Sequence, residues 1–406
     1  MRRCGILCFC ISVLLAGCVS PPSGERAKST DLHSDMDLLT EPPQSYPAED
    51  LSEPGVRALF YDGLDWKGKP TRVFAWYGVP EAADGEDKFP AMVLVHGGGG
   101  TAFAEWVRLW TGRGYAAIAM DTCGAVPRGT YGNWDRHEFA GPRGWGGFDQ
   151  LDQSIRDQWT YHAVADVVLA HSLIRSFPEV DEDRIGLTGI SWGGYLTCIV
   201  AGVDQRFRFA APVYGCGHYE LSPAFGRALD RVKDADAARW LDLWDPSRFL
   251  PRASMPFLWV TGTNDFAYPL DALQKSYRLP ASRQNLAVRI RMPHAHDGSG
   301  ENPDEIRAFA DFHLKDGLPL ARFNSQVCDN GTLQATFESD VPIIGAELLF
   351  TRDTGEVNQR LWESIPARLE PEKGEVAAVI PEGTTMCFFN LTDSRGLIVS
   401  SEHVTL

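Results

Sequence analysis

The chain has 406 residues, with 38 basic and 54 acidic side chains and a formal net charge of −16 at pH 7. This length predicts one large domain with a smaller one beside it. A surface of this sign repels phosphate backbones and anionic lipid, which excludes nucleic acid as a partner and a basic patch as a membrane-binding surface. No C-x-x-C or H-E-x-x-H motif occurs, so we expect no metal site and no cofactor.

The first residues resemble a bacterial lipoprotein signal. Arg2 and Arg3 precede an apolar run at 6–15, and Leu-Ala-Gly follows directly before Cys18. The run is too short to span a bilayer, so residues 1–17 are predicted to be a signal peptide and Cys18 to carry the membrane-anchoring lipid. The alternative is an ordinary secretory signal with a chance cysteine. The resemblance implies the bacterial cell envelope, and Val19 after the cysteine implies the outer membrane. Residues 18–54 are rich in Ser, Pro and acidic side chains, which predicts a flexible tether.

Residues 55–320 alternate short apolar runs with helical segments, which predicts an α/β domain. Near-continuous Val, Ile and Leu is the pattern of strands buried on both faces, and strands alternating with helices give a mostly parallel sheet. A helix is predicted over 160–176 from apolar residues at helical spacing. The predicted strands are 57–61, 72–77, 91–95, 115–120, 184–189, 209–214, 257–261 and 288–292.

A glycine run follows the third predicted strand. His96 is followed by four glycines at 97–100. Glycine lets backbone N–H groups approach a substrate oxygen without obstruction from side chains. We expect the N–H of Gly98 or Gly99, together with that of Trp192, to form an oxyanion hole. A phosphate-binding loop is the alternative, but no P-loop or dinucleotide motif is present.

The most specific motif is G-x-S-x-G at 189–193, between a predicted strand and a predicted helix. In a nucleophile elbow both glycines are needed because the turn is tight, and the serine is left exposed above the sheet. This context predicts Ser191 as a nucleophile rather than as part of a structural turn.

A carboxylate and a histidine follow at the ends of later strands. Asp265 comes after the strand at 257–261, where it would accept a hydrogen bond from a histidine, although an Asp in an ordinary turn is the alternative. The loop after 288–292 contains His294 and His296. We predict His296 as the base, because related enzymes place it several residues into this loop, with His294 shaping the loop.

The order Ser191, Asp265, His296 is that of the α/β-hydrolases. With these motifs, and with Gly193-Gly194 and the segment 245–249, the region 57–319 resembles the dienelactone-hydrolase and prolyl-oligopeptidase-like serine hydrolases, including acetyl xylan esterases. The resemblance implies ester or amide hydrolysis through an acyl-enzyme. Acetyl esterases of the cephalosporin-deacetylase type usually have Gln after the serine, whereas this chain has Trp192, which is similar to the peptidase-like members. Residues 18–54 are, however, too few for the N-terminal propeller of an oligopeptidase.

Two insertions are expected to line the substrate pocket. In the first, at 124–161, Trp134, Arg143 and Trp145 offer ring faces and a cation for a sugar or an anion. In the second, at 217–252, Trp240 and Trp244 have helical spacing and are equally compatible with simple packing.

Residues 321–406 show short alternating runs between turns, which predicts a small β-sandwich with Cys328 and Cys387 placed to bridge its sheets. This domain could cap the catalytic domain or bind polysaccharide. We favour capping, because the sequence shows no row of exposed aromatic residues.

Taken together, the motifs predict a lipid-anchored serine esterase acting on an acylated carbohydrate or a small ester. A prolyl-oligopeptidase-like peptidase is the first alternative, and a non-catalytic glycan-binding lipoprotein is the second.

Overall fold

The computed structural model describes residue 35 and residues 39–81 and 88–406. The predicted signal peptide and Cys18 lie outside the described residues. None of the helices in the described part of the chain is long and apolar enough to cross a membrane.

Nine strands of the described chain form one mixed sheet in the order β1-β2-β3-β5-β4-β8-β9-β10-β11, and β6 and β7 form a separate hairpin. The strands are β1 (Ser45–Pro47), β2 (Arg57–Asp62), β3 (Arg72–Gly78), β4 (Phe89–Val95), β5 (Ala116–Met120), β6 (Ala125–Thr130), β7 (Asn133–Arg136), β8 (Val180–Ile190), β9 (Phe209–Val213), β10 (Phe257–Gly262) and β11 (Gln284–Arg289). In this sheet the neighbours β1–β2, β2–β3 and β3–β5 pair antiparallel, and the neighbours β5–β4, β4–β8, β8–β9, β9–β10 and β10–β11 pair parallel.

The helices of the described chain are α1 (Ala104–Thr111), α2 (Trp159–Arg175), α3 (Trp192–Val203), α4 (Pro223–Leu229), α5 (Asp234–Trp244), α6 (Leu270–Tyr277) and α7 (Asp304–Leu314). Every residue of β5, β9 and β10 is buried. Because neighbouring side chains of a strand point to opposite faces, this burial means that both faces of the sheet are covered. The predicted α/β class is confirmed.

Helix α2 is buried all round rather than on one face. The sequence predicts this helix within two residues of its observed bounds, but as an amphipathic one. All its residues except Arg175 are buried. A helix that is buried on every side belongs to the interior of a large domain, which is where α2 packs.

The flexible tether predicted over residues 18–54 extends too far towards the C-terminus. Within the range 18–54, Ser45–Pro47 forms β1 and pairs with β2 at the edge of the large sheet. Pro47 is tolerated there because an edge strand need not donate a hydrogen bond on its outer side. The guanidinium of Arg72 stacks 3.8 Å from the ring centroid of Tyr46 and helps to hold this strand on the sheet.

The last strand of the large sheet is displaced from its predicted position. We predict 288–292, but β11 is Gln284–Arg289 and pairs with β10 from Phe257 to Gly262. The strand therefore ends before Ile290, which is 38% exposed. This shift moves the start of the histidine loop three residues towards the N-terminus.

The C-terminal region forms two antiparallel sheets, as predicted for a sandwich. Their orders are β12-β13-β17-β16 and β15-β14-β18-β19, with β20 also paired to β18. The strands are β12 (Arg322–Asp329), β13 (Thr332–Glu338), β14 (Ile343–Thr351), β15 (Trp362–Pro366), β16 (Arg368–Glu370), β17 (Glu375–Val379), β18 (Met386–Asp393), β19 (Ile398–Ser400) and β20 (Val404–Thr405). The expected bridge between Cys328 and Cys387 is not formed, and the five cysteines that the structure describes are all free.

The sandwich packs against the open edge of the large sheet. The hydroxyl of Ser400 accepts the N–H of Val288 at 2.8 Å, and the Asn390 amide donates to the Val288 carbonyl at 3.0 Å. Asn264, next to the predicted catalytic Asp265, donates to the carbonyl of Val357 at 2.9 Å in a sandwich loop. The two contacts with Val288 are buried and cover the edge at β11, which would otherwise be left with unpaired backbone groups.

Candidate active site

Ser191 lies in a tight turn between β8 and α3. Its φ is +58°, a left-handed conformation that is uncommon for residues other than glycine. A Cβ on Gly193 would lie 2.0 Å from the Val95 carbonyl oxygen, and one on Gly189 would lie 2.3 Å from the Gly193 carbonyl oxygen. Both positions therefore require glycine. The geometry is that of a nucleophile elbow.

Ser191 stands at one end of a chain of hydrogen bonds that runs through His294. The His294 Nε2 is 2.8 Å from Ser191 Oγ, and its Nδ1 is 2.7 Å from Asp265 Oδ2. The other oxygen of Asp265 accepts the N–H groups of Ala267 and Tyr268. With Asp265 fixed in this way, Nδ1–H donates to the carboxylate and Nε2 is left to accept the serine hydroxyl proton.

His296 does not occupy the place predicted for it. Its Nδ1 lies 2.7 Å from Glu301 Oε1, and its Nε2 accepts the N–H of Gly97 at 2.9 Å. The physical reason is the position of β11. Because the strand ends at Arg289, it is His294 that lies several residues into the loop. The geometry therefore corrects the prediction of His296 as the base and assigns that place to His294.

Two aromatic rings hold the His294 imidazole, and neither belongs to a recognisable sequence motif. Tyr214 stacks on it with ring centroids 4.3 Å apart, and Phe266 lies at 4.8 Å. The Tyr214 hydroxyl also donates to the carbonyl of Ala295 at 2.7 Å. Tyr214 is the last residue of the strand predicted at 209–214, which is the neighbour of the strand that leads into Ser191. This position is the sequence signal that could have indicated the role of Tyr214.

The glycine run after β4, residues 97–100, forms what we call the oxyanion loop, and it lies directly against the elbow. A Cβ on Gly97 would be 3.1 Å from the Ser191 Cβ, and one on Gly98 would be 2.7 Å from Trp192 Cδ1. Within the described residues the N–H groups of Gly98 and Gly99 make no hydrogen bond. The N–H of Trp192, at the start of α3, has no partner within the helix. The three predicted donors are thus brought together beside Ser191.

The hairpin of β6 and β7 holds this loop by its carbonyl groups. The Tyr131 hydroxyl donates to the Gly98 carbonyl at 2.7 Å, while the N–H of Gly132 and the indole N–H of Trp134 each donate to the Gly99 carbonyl at 2.8 Å. In a trans peptide the N–H points opposite to the carbonyl. Fixing the Gly98 carbonyl on the hairpin therefore directs the N–H of Gly99 away from the hairpin.

The three predicted substrate-binding residues lie together. Trp134, Arg143 and Trp145 line a cavity of about 140 Å³ that also borders Gly99 and Gly100 of the oxyanion loop. Arg136, at the end of β7, also lines this cavity. Trp134 has the additional contact with Gly99 described above, which the sequence did not suggest.

The tryptophans of the second insertion are structural. Trp240 and Trp244 are both buried. The Trp240 indole donates to the carbonyl of Gly146 at 2.6 Å, and that of Trp244 donates to Gln158 at 2.7 Å. They pack the insertions together, which was one of the two interpretations left open by the sequence.

No cluster of three or more His, Cys, Asp or Glu side chains in the described ranges is arranged to hold a metal ion. The paired histidines of the loop face different partners, since His294 contacts Asp265 and His296 contacts Glu301.

A family model described as Acetyl xylan esterase (AXE1) matches residues 47–232. Among solved structures, the acetyl xylan esterase from Paenibacillus sp. R4 is 20% identical with a TM-score of 0.57, covering 72% of this chain and 97% of that one. Acetyl Xylan Esterase 1 from Thermoanaerobacterium sp. JW/SL YS485 is also 20% identical, with a TM-score of 0.54 and coverage of 68% and 92%. At this identity the likeness shows the fold.

Curated relatives carry peptidase names. The uncharacterized peptidase YuxL of Bacillus subtilis is 24% identical over 244 residues, which is 55% of this chain and 33% of the relative. Dipeptidyl-peptidase 5 of Schizosaccharomyces pombe is 23% identical over 205 residues, 48% of this chain and 28% of the relative. The chain thus spans about a third of the length of these curated relatives.

The sheet order, the elbow and the similar solved structures define the fold. The chain has the α/β-hydrolase fold, as the resemblance in its motifs implies. It is similar to acetyl xylan esterases on one side and to peptidases on the other.

Proposed function

We propose that the protein is a serine ester hydrolase acting on an acylated carbohydrate, with Ser191 as nucleophile, His294 as base and Asp265 as the carboxylate that orients it. The observation that carries the proposal is the hydrogen-bonded chain from Asp265 through His294 to Ser191 beside unpaired backbone N–H groups. A binding protein without catalysis would not need a serine held at positive φ between a histidine and a glycine loop. The non-catalytic alternative is therefore disfavoured.

The mechanism follows from these positions. His294 Nε2 takes the proton from Ser191 Oγ as the oxygen attacks the ester carbonyl, and the resulting oxyanion accepts hydrogen bonds from Trp192 and from Gly98 or Gly99. The imidazolium, stabilised by Asp265, gives its proton to the leaving alcohol. Water, deprotonated by the same histidine, then attacks the acyl-serine, and the imidazolium returns that proton to Ser191 Oγ as the carboxylic acid leaves.

Three observations support an ester of a carbohydrate over a peptide amide. The family model is that of acetyl xylan esterase, and the similar esterase structures are matched over nearly their whole length. The cavity beside the oxyanion loop is lined by indole rings and guanidinium groups, which suit a sugar. Peptidase activity remains the second candidate, and the names of the curated relatives favour it.

A panel of substrates tests this proposal. We expect release of acetate from acetylated xylo-oligosaccharides and of nitrophenol from 4-nitrophenyl acetate, with rates on dipeptidyl and acylaminoacyl amides lower by orders of magnitude. The Ser191→Ala variant controls for a contaminating esterase. Faster cleavage of the amides would move the peptidase interpretation to first place, and no turnover of any ester would refute the proposal.

We also propose that Cys18 carries a lipid that anchors the protein in the bacterial envelope, in the outer membrane. The support is the Leu-Ala-Gly-Cys sequence after the apolar run. Expression of the full chain and of Cys18→Ser, followed by separation of membranes, tests it. The variant is expected in the soluble fraction, and its continued association with membranes would contradict lipid anchoring at Cys18.

A further inference from the structure

The cavity beside the oxyanion loop contains two positive charges without a negative partner. Arg136 and Arg143 both line it. Among the described residues, neither guanidinium has a carboxylate within ion-pair distance. Arg136 donates instead to the carbonyls of Cys123 and Gly141. In a chain with a net charge of −16, many other surface arginines do have such partners, including Arg128 on the same hairpin, which pairs with Asp50 at 2.7 Å.

The two guanidinium groups also act on each other. Burial, and after it the charge of Arg143, lower the pKa of Arg136 from its ordinary value, and the charge of the buried Asp121 opposes them to a smaller extent. A guanidinium nevertheless stays protonated in proteins. The cavity therefore holds two like charges whose repulsion an anion between them would relieve.

The surroundings limit what kind of anion fits. The cavity has a volume of about 140 Å³, several times the ~30 Å³ that one water molecule occupies in the liquid. Trp134 and Trp145 are half-buried and supply ring faces to its wall. A planar carboxylate matches the fork of a guanidinium, and the aromatic walls suit the ring that bears it.

We propose that this cavity is a subsite for the carboxylate of a uronic acid, so that the preferred substrate is an acylated glycan containing acidic sugars. The inference rests on the proposed esterase function, because it places the uronate beside the oxyanion loop and therefore next to the ester under attack. Arg143 contacts the carboxylate and determines specificity. Arg136 adds charge and holds the wall of the cavity.

The first test compares two matched substrates, a mono-acetylated methyl glucuronide and the methyl glucoside acetylated on the same hydroxyl. We expect kcat/KM to be at least tenfold higher for the glucuronide, through a lower KM. Arg143→Gln should lower this ratio about tenfold or more, to near unity, as for removal of one charged hydrogen-bonding partner, and Arg143→Lys should keep part of it. Since the readout is a ratio, a general loss of activity cancels. The control Arg128→Gln, on the same hairpin but paired with Asp50, should keep the full preference.

A second test separates the subsite from catalysis. Calorimetry of methyl glucuronide with Ser191→Ala should show binding that adding Arg143→Gln weakens about tenfold or more. If the wild type hydrolyses neither ester, the proposed function fails while this titration still decides the subsite. Equal kcat/KM for the two esters together with no binding of the glucuronide would overturn the inference. Preference for a matched acetylated glucose 6-sulfate over the glucuronide would overturn the assignment to a uronate.

Discussion

At the scale of single residues, the two histidines of one loop have different tasks. His294 lies between Asp265 and Ser191, whereas His296 joins Glu301 to the N–H of Gly97. The Nδ1–H of His296 donates to Glu301, which leaves Nε2 as the acceptor for Gly97. His296 is therefore a positioning residue for the oxyanion loop.

Substitution of each histidine separates these tasks. We expect His294→Ala to lower kcat for 4-nitrophenyl acetate by a factor on the order of 10⁴ or more, as for removal of a triad member. His296→Ala should lose only roughly 10- to 100-fold, because the oxyanion donors are disturbed but the base remains. His296→Gln, which retains an acceptor, should recover part of the loss. A reversed order of severity in steady-state rates would make His296 the base.

The sequence could identify the types of residue at the site but not which histidine acts. Ser191 and the glycine loop are recognisable because their local conformations require particular residues, above all Gly189 and Gly193. The choice between His294 and His296 depends on where the preceding strand ends. That end is set by tertiary contacts that a single sequence does not show.

At the scale of elements, β11 shows why the end of the strand was misplaced. Its first residues, Gln284 and Asn285, are polar, so the alternating apolar residues Val288, Ile290 and Met292 are the stronger sequence signal for a strand. In the fold, Gln284 accepts the indole N–H of Trp259 at 2.7 Å and Asn285 donates to the Ala321 carbonyl at 2.9 Å. These hydrogen bonds satisfy the polar groups and allow them in a largely buried strand. The buried apolar strands β4, β5 and β9 were predicted closely because hydrophobicity alone determines their place.

The β6–β7 hairpin is the element that fixes the oxyanion loop. Tyr131→Phe removes the hydrogen bond to Gly98, and Trp134→Phe removes one to Gly99. We expect each variant to lower kcat for 4-nitrophenyl acetate roughly 10-fold with little change in KM, since the donors act on the transition state. Steady-state kinetics measure this, with Trp145→Phe as a control on the same cavity that leaves these hydrogen bonds intact. If Trp134→Phe instead changed only the KM for larger sugar esters, its indole would serve substrate binding alone.

At the scale of the whole molecule, the C-terminal sandwich covers the edge of the large sheet and also holds the two loops that carry Asp265 and His294. Asn264 donates to two sandwich carbonyls, those of Val357 and Arg360, and it directly precedes Asp265. Ser400 and Asn390 bind the backbone of β11, from which the histidine loop continues. The alternating pattern predicts the sandwich itself, but not this docking, because the contacts join residues far apart in sequence.

Acid stability of the molecule depends on buried neutral histidines. Burial lowers the pKa of His162 from 6.5 to about 4, and that of His137 likewise to about 4. Because the unfolded chain takes up protons that the folded one does not, stability is full above pH 6.5 and is lost as the pH falls from 6.5 towards 4. For fully buried His162 the loss is on the order of 3 kcal/mol.

Urea unfolding across this pH range tests the dependence. The midpoint of the wild type should fall steadily below pH 6.5, and that of His162→Gln should fall less, because one group that titrates on unfolding has been removed. Glutamine can still donate to the Arg156 carbonyl, which His162 contacts at 2.8 Å. Parallel profiles for the two proteins would show that His162 does not contribute to acid unfolding.

The central claim is that Ser191 is a nucleophile activated by His294. The most direct measurement is labelling with a fluorophosphonate, located by peptide mass spectrometry and followed together with loss of 4-nitrophenyl acetate hydrolysis. We expect one label per chain, on Ser191, appearing in step with the loss of activity, and labelling slowed by orders of magnitude in His294→Ala but much less in His296→Ala. Full inactivation with Ser191 unlabelled, or labelling of Ser191 with hydrolysis intact, would contradict the claim.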